Sequence, residues 1–468
     1  MTKILLRASK HPWEALSAEE TLRTRALAEN AGNLLFSQSV YRSLATSGSE
    51  ITPDGFRSHR KGQSAEYAAW VNENFDQFVI PLANAFRPGF QKYLQRLTAL
   101  ISRLDIPVVV VGVGSQHKLD GSALADDPIA GDVQKFMAAV LERSSSVGVR
   151  GEYTADYLAG LGFDDNVVDI IGCPSLFMNG STPTVNRPGS GLQPDSQIAM
   201  TVSPYVKPMK PIVDRHTRKY SNLVYVPQNH KDLAMMVWGD NRTNPKDLRN
   251  PTHTGHALYR EDRMRFPLDP RTWVDFLRNQ EFVFGTRIHG SVAGILAGTP
   301  TFLLTHDSRT LELAEYHKIP HAGFKELAKD IDAADLYERA DYSDFEAHVP
   351  EVLARYSSFL EKNGLRHSFA PGKQPDEFDT HVAEAQLPPM VPTLFAEGEE
   401  GKQVVMQRIN ELHNRQVEIE SAVAKQGQGF EVSQSNSTPA PKPSKHRGMF
   451  VRVVDKARAL NRKLRRRR

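Results

Sequence analysis

At 468 residues, with 40% hydrophobic and 24% charged side chains, the chain has the composition of a soluble globular protein too long for one ordinary core. A single cysteine, Cys173, excludes an internal disulfide and a cysteine-built metal site and points to a reducing compartment. The net charge of +3 is uneven: residues 442–468 hold 12 Lys/Arg and one Asp, a net +11, which leaves −8 for the rest and excludes a nucleic-acid-binding core.

The first segment, "MTKILLRASKHPWEALSAEE", has a short apolar patch but neither the apolar core nor the cleavage site of a signal peptide. No run approaches the roughly 18 apolar residues of a membrane span, so a cytoplasmic location is expected. Strands are predicted at Phe78–Phe86 and Ile106–Ser115. Between them a helix carries Phe90, Leu94, Leu97, Leu100, Ile101 and Leu104 at helical spacing. A helix near Val133–Arg143, the strand "SVGVR", the helix "EYTADYLAGLG" and the strand "VVDIIGCPSLF" follow. This repeated order implies a parallel sheet with helices on its faces.

Residues 178–196, "MNGSTPTVNRPGSGLQPDS", have linker composition. A second alternation begins at "QIAMTVSPY" and continues through Asn222–His230, helices at Lys231–Trp238 and Pro270–Asn279, and the strand "EFVFG". A helix from Gly290, the strand "TPTFLLTHDS" and the helix "RTLELAEYHKI" complete it. The predicted fold is therefore α/β with two Rossmann-like domains, 1–180 and 198–390, joined by a linker at 181–197. A cleft between them would hold ligands beyond the strands' carboxyl ends. A C-terminal extension, part helical and part disordered, comprises a helical segment at 391–424, a disordered linker at 425–446 and a basic tail at 447–468. Val405, Ile409, Leu412, Gln416, Ile419 and Val423 make a short coiled-coil-like seam, read equally as packing on its own body or as an oligomer contact.

The chemistry concentrates at strand ends. In "FVFGTRIHGSVAGILAGTP", Arg287 and His289 stand where a buried strand meets a small-residue helix that starts near Gly290. The helix N-terminus and the guanidinium fork suit an anion, and the imidazole can exchange a proton. An internal carboxylate partner is the structural alternative. "FLLTHDSRT" repeats the pattern with His306, Asp307 and Arg309, and "SSSVGVR" adds Arg150. Gln228 and Asn229 end another strand and are read as cleft-lining. "GVGSQH", with Gly112, Gly114, Ser115, Gln116 and His117, is read as a tight strand–loop turn or as a donor or acceptor contact. His230 is assigned no role, and "RHTRKY" (Arg215–Tyr220) is read as a solvated loop that could steer an anionic acceptor.

Taken together, "ENAGNLLFSQSVYRSL", "VVVVGVGSQ", "SVGVRGEYTADYLAGLGFDDNVVDIIGCPSLF", "FVFGTRIHGSVAGILAGTPTF" and "THDSRTLELAEYHKIP" resemble the polysaccharide pyruvyl transferases, in that family's order, from about Asn30 to Pro320. The resemblance implies a GT-B-like fold and transfer of the enolpyruvyl unit of phosphoenolpyruvate to a sugar as a pyruvate ketal. It assigns donor binding to Arg287, Ile288 and Arg150, and the general acid to His289. One departure is Asn33, where the family commonly has Asp in a turn that follows a clear strand.

Phosphoenolpyruvate would be a substrate, and no cofactor or metal is expected. Gly290, His306 and Arg309 are expected to help bind substrate. Candidate bases for the sugar hydroxyls are Glu152 and Asp307. The partners expected are a sugar, polysaccharide or lipid-linked glycan acceptor and, through the basic amphipathic stripe of 447–468, an anionic membrane surface at the inner face of the plasma membrane. Solvated disorder of that tail is the alternative. The rival functions are a GT-B-type glycosyltransferase using a nucleotide sugar and a catalytically silent homologue that binds glycan or membrane.

Overall fold

Four consecutive valines, Val108–Val111, are buried in the manner of a parallel strand covered on both faces. They belong to a four-stranded sheet in the computed structural model, which describes residues 1–60, 65–116, 127–186, 189, 191–241, 249–370, 372 and 376–435. Its strands are β1 (Thr2–Leu6), β2 (Ser49–Pro53), β3 (Gln77–Pro81) and, beyond the short β4 (Asn84–Phe86), β5 (Val108–Val111). Their order is β2-β1-β3-β5, all parallel. β4 pairs with β6 (Gly114–Ser115), and β7 (Val147–Val149) with β8 (Val168–Ile170). Backbone bonds Val113 N–H to Gly148 and Arg150 N–H to Val113 tie β7 to the end of β5.

The second sheet is also parallel: β9 (Ile198–Thr201), β10 (Leu223–Tyr225), β11 (Phe282–Gly285), β12 (Thr301–Thr305) and β13 (His321–Gly323), in the order β10-β9-β11-β12-β13. Both sheets lie in one compact unit, Met1–Arg408, and the described residues between Gly180 and Ile198 form neither helix nor strand. Two helix-covered parallel sheets are the doubly wound α/β architecture that the alternating pattern predicts.

Three parts of the chain differ from expectation. The short apolar patch at the N-terminus is β1, an interior strand of the first sheet, so a strand does precede the Asn30 turn. The intervening residues, including the helix Ala18–Thr24, separate the two. "RHTRKY" is no loop: it closes the helix Met209–Lys219, whose Ile212, Val213 and His216 are buried, and Tyr220 follows in the core. The helix Ser343–Lys362 returns to the first sheet. There Asn363 Oδ1 accepts from the Ser145 and Ser146 N–H groups at 3.1 Å, and Lys362 meets Asp169 at 3.1 Å. The stretch 198–390 therefore does not pack around the second sheet alone.

A long helix, Gly398–Ser435, ends the described chain and runs into the stretch read from composition as a disordered linker. On it Ile409, Leu412, Ile419 and Val423 are exposed. The rest of that stretch and the basic tail 447–468 lie outside the described residues, as does His117. Among the described residues no helix is long and apolar enough to cross a membrane.

Candidate functional site

β11 ends at Gly285, whose φ of +149° and contact with the Thr201 backbone leave no room for a side chain. The chain then turns through Thr286 into Arg287, the N-cap of the helix Ile288–Leu296. Arg287, Ile288 and His289 line a cavity of about 960 Å³, joined there from other strand ends by Arg150, Gln228, Asn229, His306 and Arg309. Arg150 follows β7, which is tied to the residues just after β5, and the others follow β10, β11 and β12 of the second sheet.

Arg287 has no carboxylate paired with it among the described residues. Its Nη2 donates to Asn229 Oδ1 at 3.0 Å and its Nε to Gln228 Oε1 at 3.4 Å, so the cleft-lining amides hold the guanidinium in place. Gln228 Nε2 is buried without a partner among the described residues. Asp232 lies behind, accepting the Asn229 N–H at 3.2 Å; burial pushes its carboxyl up to about 6 against the opposing pull of Arg287. Arg150 is 4% exposed, and its Nε donates to the Gly112 carbonyl at 3.1 Å. Its Nη2 has no hydrogen-bond partner among the described residues. The glycine-rich turn "GVGS" serves this arginine: a Cβ on Gly114 would sit 2.9 Å from Arg150 Cδ. Burial lowers the pKa of both arginines, and Glu312 and Asp232 act on them from a distance without an ion pair.

His289 stands beside these cations. Burial first, then Arg150 and Arg287, push its imidazole down to about 3, so it is neutral near pH 7 in the unliganded protein. Its Nε2 lies 3.8 Å from the thiol of Cys173, which is buried. Its other face meets Gly32 on the helix Ala31–Leu44, where a Cβ would come within 2.7 Å of His289 Cγ. The Asn30 turn is thus part of the site, pinned by the Ala31 N–H to the Gln228 carbonyl at 2.9 Å.

Arg309 differs from the other two arginines. Asp307 Oδ2 accepts from its Nε at 3.0 Å and also from its Nη2. Burial would lower the arginine's pKa, but Asp307 raises it beyond the ordinary value. The same carboxylate caps the helix Ser308–Tyr316 through the Thr310 N–H at 3.0 Å. Burial would raise Asp307, yet Arg309, His306 and those bonds hold it below the usual carboxylate range. Asp307 is not on the cavity wall, and its carboxylate is engaged by Arg309 and the Thr310 N–H, which argues against the expected role as a base. Glu152 is exposed and off the wall as well.

Gly290 does not face the cavity either. It packs on β9, with room for no Cβ against Thr201 Oγ1, and so sets helix–sheet distance rather than touching ligand. His306 is on the wall, its Nε2 3.3 Å from the Tyr205 hydroxyl. Among the described residues no cluster of three His, Cys, Asp or Glu is placed to hold a metal ion.

Sequence reasoning missed Gly32, Cys173, Tyr205 and Glu312 as members of this neighbourhood. It also missed the far end of the cavity, where Arg7, Arg87, Arg96, Phe56, Phe90 and Tyr93 come together. Arg7 follows β1 directly, so recognising that strand would have flagged it by the same strand-end rule that found Arg150.

The family model described as polysaccharide pyruvyl transferase matches residues 30–308. No curated protein matches the chain. Among solved structures, S. aureus MnaA with UDP is 12% identical, covering 83% of this chain and 99% of that one at a TM-score of 0.38. The UDP-GlcNAc 2-epimerase of Methanocaldococcus jannaschii is 11% identical, covering 82% and 99% at 0.38. The glycotransferase of kitacinnamycin is 11% identical, covering 83% and 99% at 0.33. Likeness of that extent assigns no ligand and no activity, and the fold rests on the topology of this chain itself.

Proposed function

The chain belongs to the polysaccharide pyruvyl transferase family, and from that premise we propose that it transfers the enolpyruvyl group of phosphoenolpyruvate to a sugar hydroxyl pair as a pyruvate ketal. The observation that carries this reading is two guanidiniums that line the cavity, Arg150 buried and Arg287 half-buried, neither paired with a carboxylate among the described residues. A buried cation without a counter-charge is costly, and an anionic substrate relieves that cost. Phosphoenolpyruvate, with a phosphate and a carboxylate, offers one anionic group to each fork.

The chemistry begins at His289. In the unliganded site the imidazole is neutral, held down by burial and by the two cations. A donor anion between those cations cancels their repulsion and favours imidazolium, so proton uptake accompanies donor binding. The imidazolium then gives its proton to the methylene carbon, leaving positive character on the carbon that bears the phosphate. A sugar hydroxyl adds there and its proton returns to His289. The phosphate departs with the electrons of its C–O bond and takes up the proton of the neighbouring hydroxyl as that oxygen closes the ring. One ketal carboxylate and one hydrogen phosphate result, which balances atoms and charge.

The reading is tested by incubating the protein with phosphoenolpyruvate and a glycan acceptor and following released phosphate together with the mass of the product. The expected result is stoichiometric phosphate and a pyruvate ketal. Release of a nucleotide from a nucleotide sugar, with phosphoenolpyruvate untouched, would move the assignment to a glycosyltransferase. Location at a membrane face through residues 447–468 is part of the same proposal. Vesicle flotation with and without that tail checks it, and equal binding by both chains overturns it.

A further inference from the structure

The cavity extends well past the donor arginines, and its first-sheet end is built from different chemistry. Phe56, Phe90 and Tyr93 gather around His59, with ring centroids 5.1 Å apart for His59–Tyr93 and 5.3 Å for Phe90–Tyr93. Two guanidiniums flank these rings: Arg7 lies 5.1 Å from the Phe56 centroid and Arg96 5.5 Å from that of Tyr93. Arg87 stands beside them, its Nε donating to the Asn84 carbonyl at 3.0 Å. Neither Arg87 nor Arg96 is paired with a carboxylate among the described residues; Arg96 donates to the His59 carbonyl at 3.3 Å. Burial first, then Arg7, Arg60 and Arg96, push His59 down to about 3.

Asn84 adds a polar reader. It is on the cavity wall, and both its amide nitrogen and its amide oxygen are buried without a hydrogen-bond partner among the described residues. A side-chain amide left with an open donor and an open acceptor matches a sugar hydroxyl, which offers both. Aromatic rings suit the apolar faces of a pyranose, and free guanidiniums suit a negative substituent. The two ends of the cavity share a wall: a Cβ on Gly114 would lie 2.9 Å from Arg150 Cδ and 3.5 Å from the carbonyl of Ala83, the residue before Asn84.

We propose that this end of the cavity is the acceptor subsite and that it takes an anionic sugar, one carrying a phosphate ester or a carboxylate, read by Asn84, Arg87 and Arg96. Naming the ligand as the acceptor rests on the pyruvyl-transfer reading; its chemical class rests on these residues alone. An uncharged glycan would leave Arg87 and Arg96 without a counter-charge, since no carboxylate among the described residues pairs with them.

The test is calorimetric titration of glucose 1-phosphate, glucuronate and methyl glucoside into the wild-type full chain and the Arg87→Gln, Arg96→Gln and Arg287→Gln variants, with phosphoenolpyruvate titrated in parallel. Glucose 1-phosphate or glucuronate should bind the wild type at least about tenfold more tightly than methyl glucoside, and Arg87→Gln or Arg96→Gln should erase most of that preference. Which charged probe binds better tells phosphate from carboxylate. Arg287→Gln should keep charged-sugar binding and weaken phosphoenolpyruvate binding by roughly tenfold to a hundredfold. Equal binding of charged and uncharged sugars, no binding of either charged probe, or a charge preference that survives in both first-sheet variants overturns the proposal. If charged sugar binds as described while phosphoenolpyruvate does not bind the wild type, the donor assignment fails and the anionic subsite stands. Unchanged phosphoenolpyruvate binding and melting temperature show that Arg87→Gln and Arg96→Gln remain folded.

Discussion

Arg287 and Arg309 follow adjacent parallel strands and reach the same cavity, yet their surroundings are opposite. Arg309 has a carboxylate two residues away, held in place because Asp307 is also a helix cap. Arg287 is given two amide oxygens and a distant Asp232, and Arg150 across the cavity is given a carbonyl. Three arginines at strand ends therefore amount to one internal ion pair and two cations without a carboxylate partner among the described residues. An arginine's position at a strand end says where it points; its neighbours decide whether it is available.

That contrast can be broken experimentally. The largest effect is expected from His289→Gln, which keeps the cations but removes the proton they govern. Turnover of phosphoenolpyruvate should fall by about 10²–10⁴, with donor binding retained in calorimetry. Next, Arg287→Gln and Arg150→Gln should each weaken donor binding by roughly tenfold to a hundredfold, the loss of a charge-assisted contact. Arg309→Gln sharpens the comparison: its charge is already matched by Asp307, so donor affinity should change by less than about threefold. An Arg309 effect as large as that of Arg287 would mean the Asp307 pair opens for substrate.

The smallest effect is on stability. His289 is pushed from an ordinary 6.5 to about 3 in the folded protein. Between those values the unfolded chain binds a proton that the folded chain refuses, so this group lowers stability as pH falls through that window. Chemical denaturation from pH 7 to 4 should show a shallower acid loss in His289→Gln than in the wild type. His59 and His317, also pushed to about 3, contribute in both chains and leave a residual slope.

The same contrast marks what was readable in the sequence. The Arg287–Ile288–His289 run and Arg150 were legible because each is local: an apolar strand, a turn and a helix start leave little choice about where the intervening side chains go. Both sheets were legible for a similar reason, since runs such as Val108–Val111 can only be buried strands. Availability was not legible. Asp307 serves as cap and counter-ion through a rotamer, and Gly290 turns toward Thr201 by helix phase, neither of which composition reveals. "RHTRKY" hid a helix because its charges mask His216 and Tyr220, which join Ile212 and Val213 in the core. The arginine and aromatic end of the cavity was out of reach because Arg7, Arg87 and Arg96 meet only once β1 is interior and the helix Gln91–Ile101 is docked.

The central claim is that Arg150 and Arg287 together hold the donor against His289. A crystal structure of the protein soaked with phosphoenolpyruvate tests it most directly. The account predicts the phosphate and carboxylate within hydrogen-bond distance of the Arg150 and Arg287 guanidiniums, with the methylene carbon against the His289 ring. Phosphoenolpyruvate bound instead at Arg309 with the Asp307 pair broken, or at Arg87 and Arg96 with Arg150 and Arg287 untouched, would contradict it.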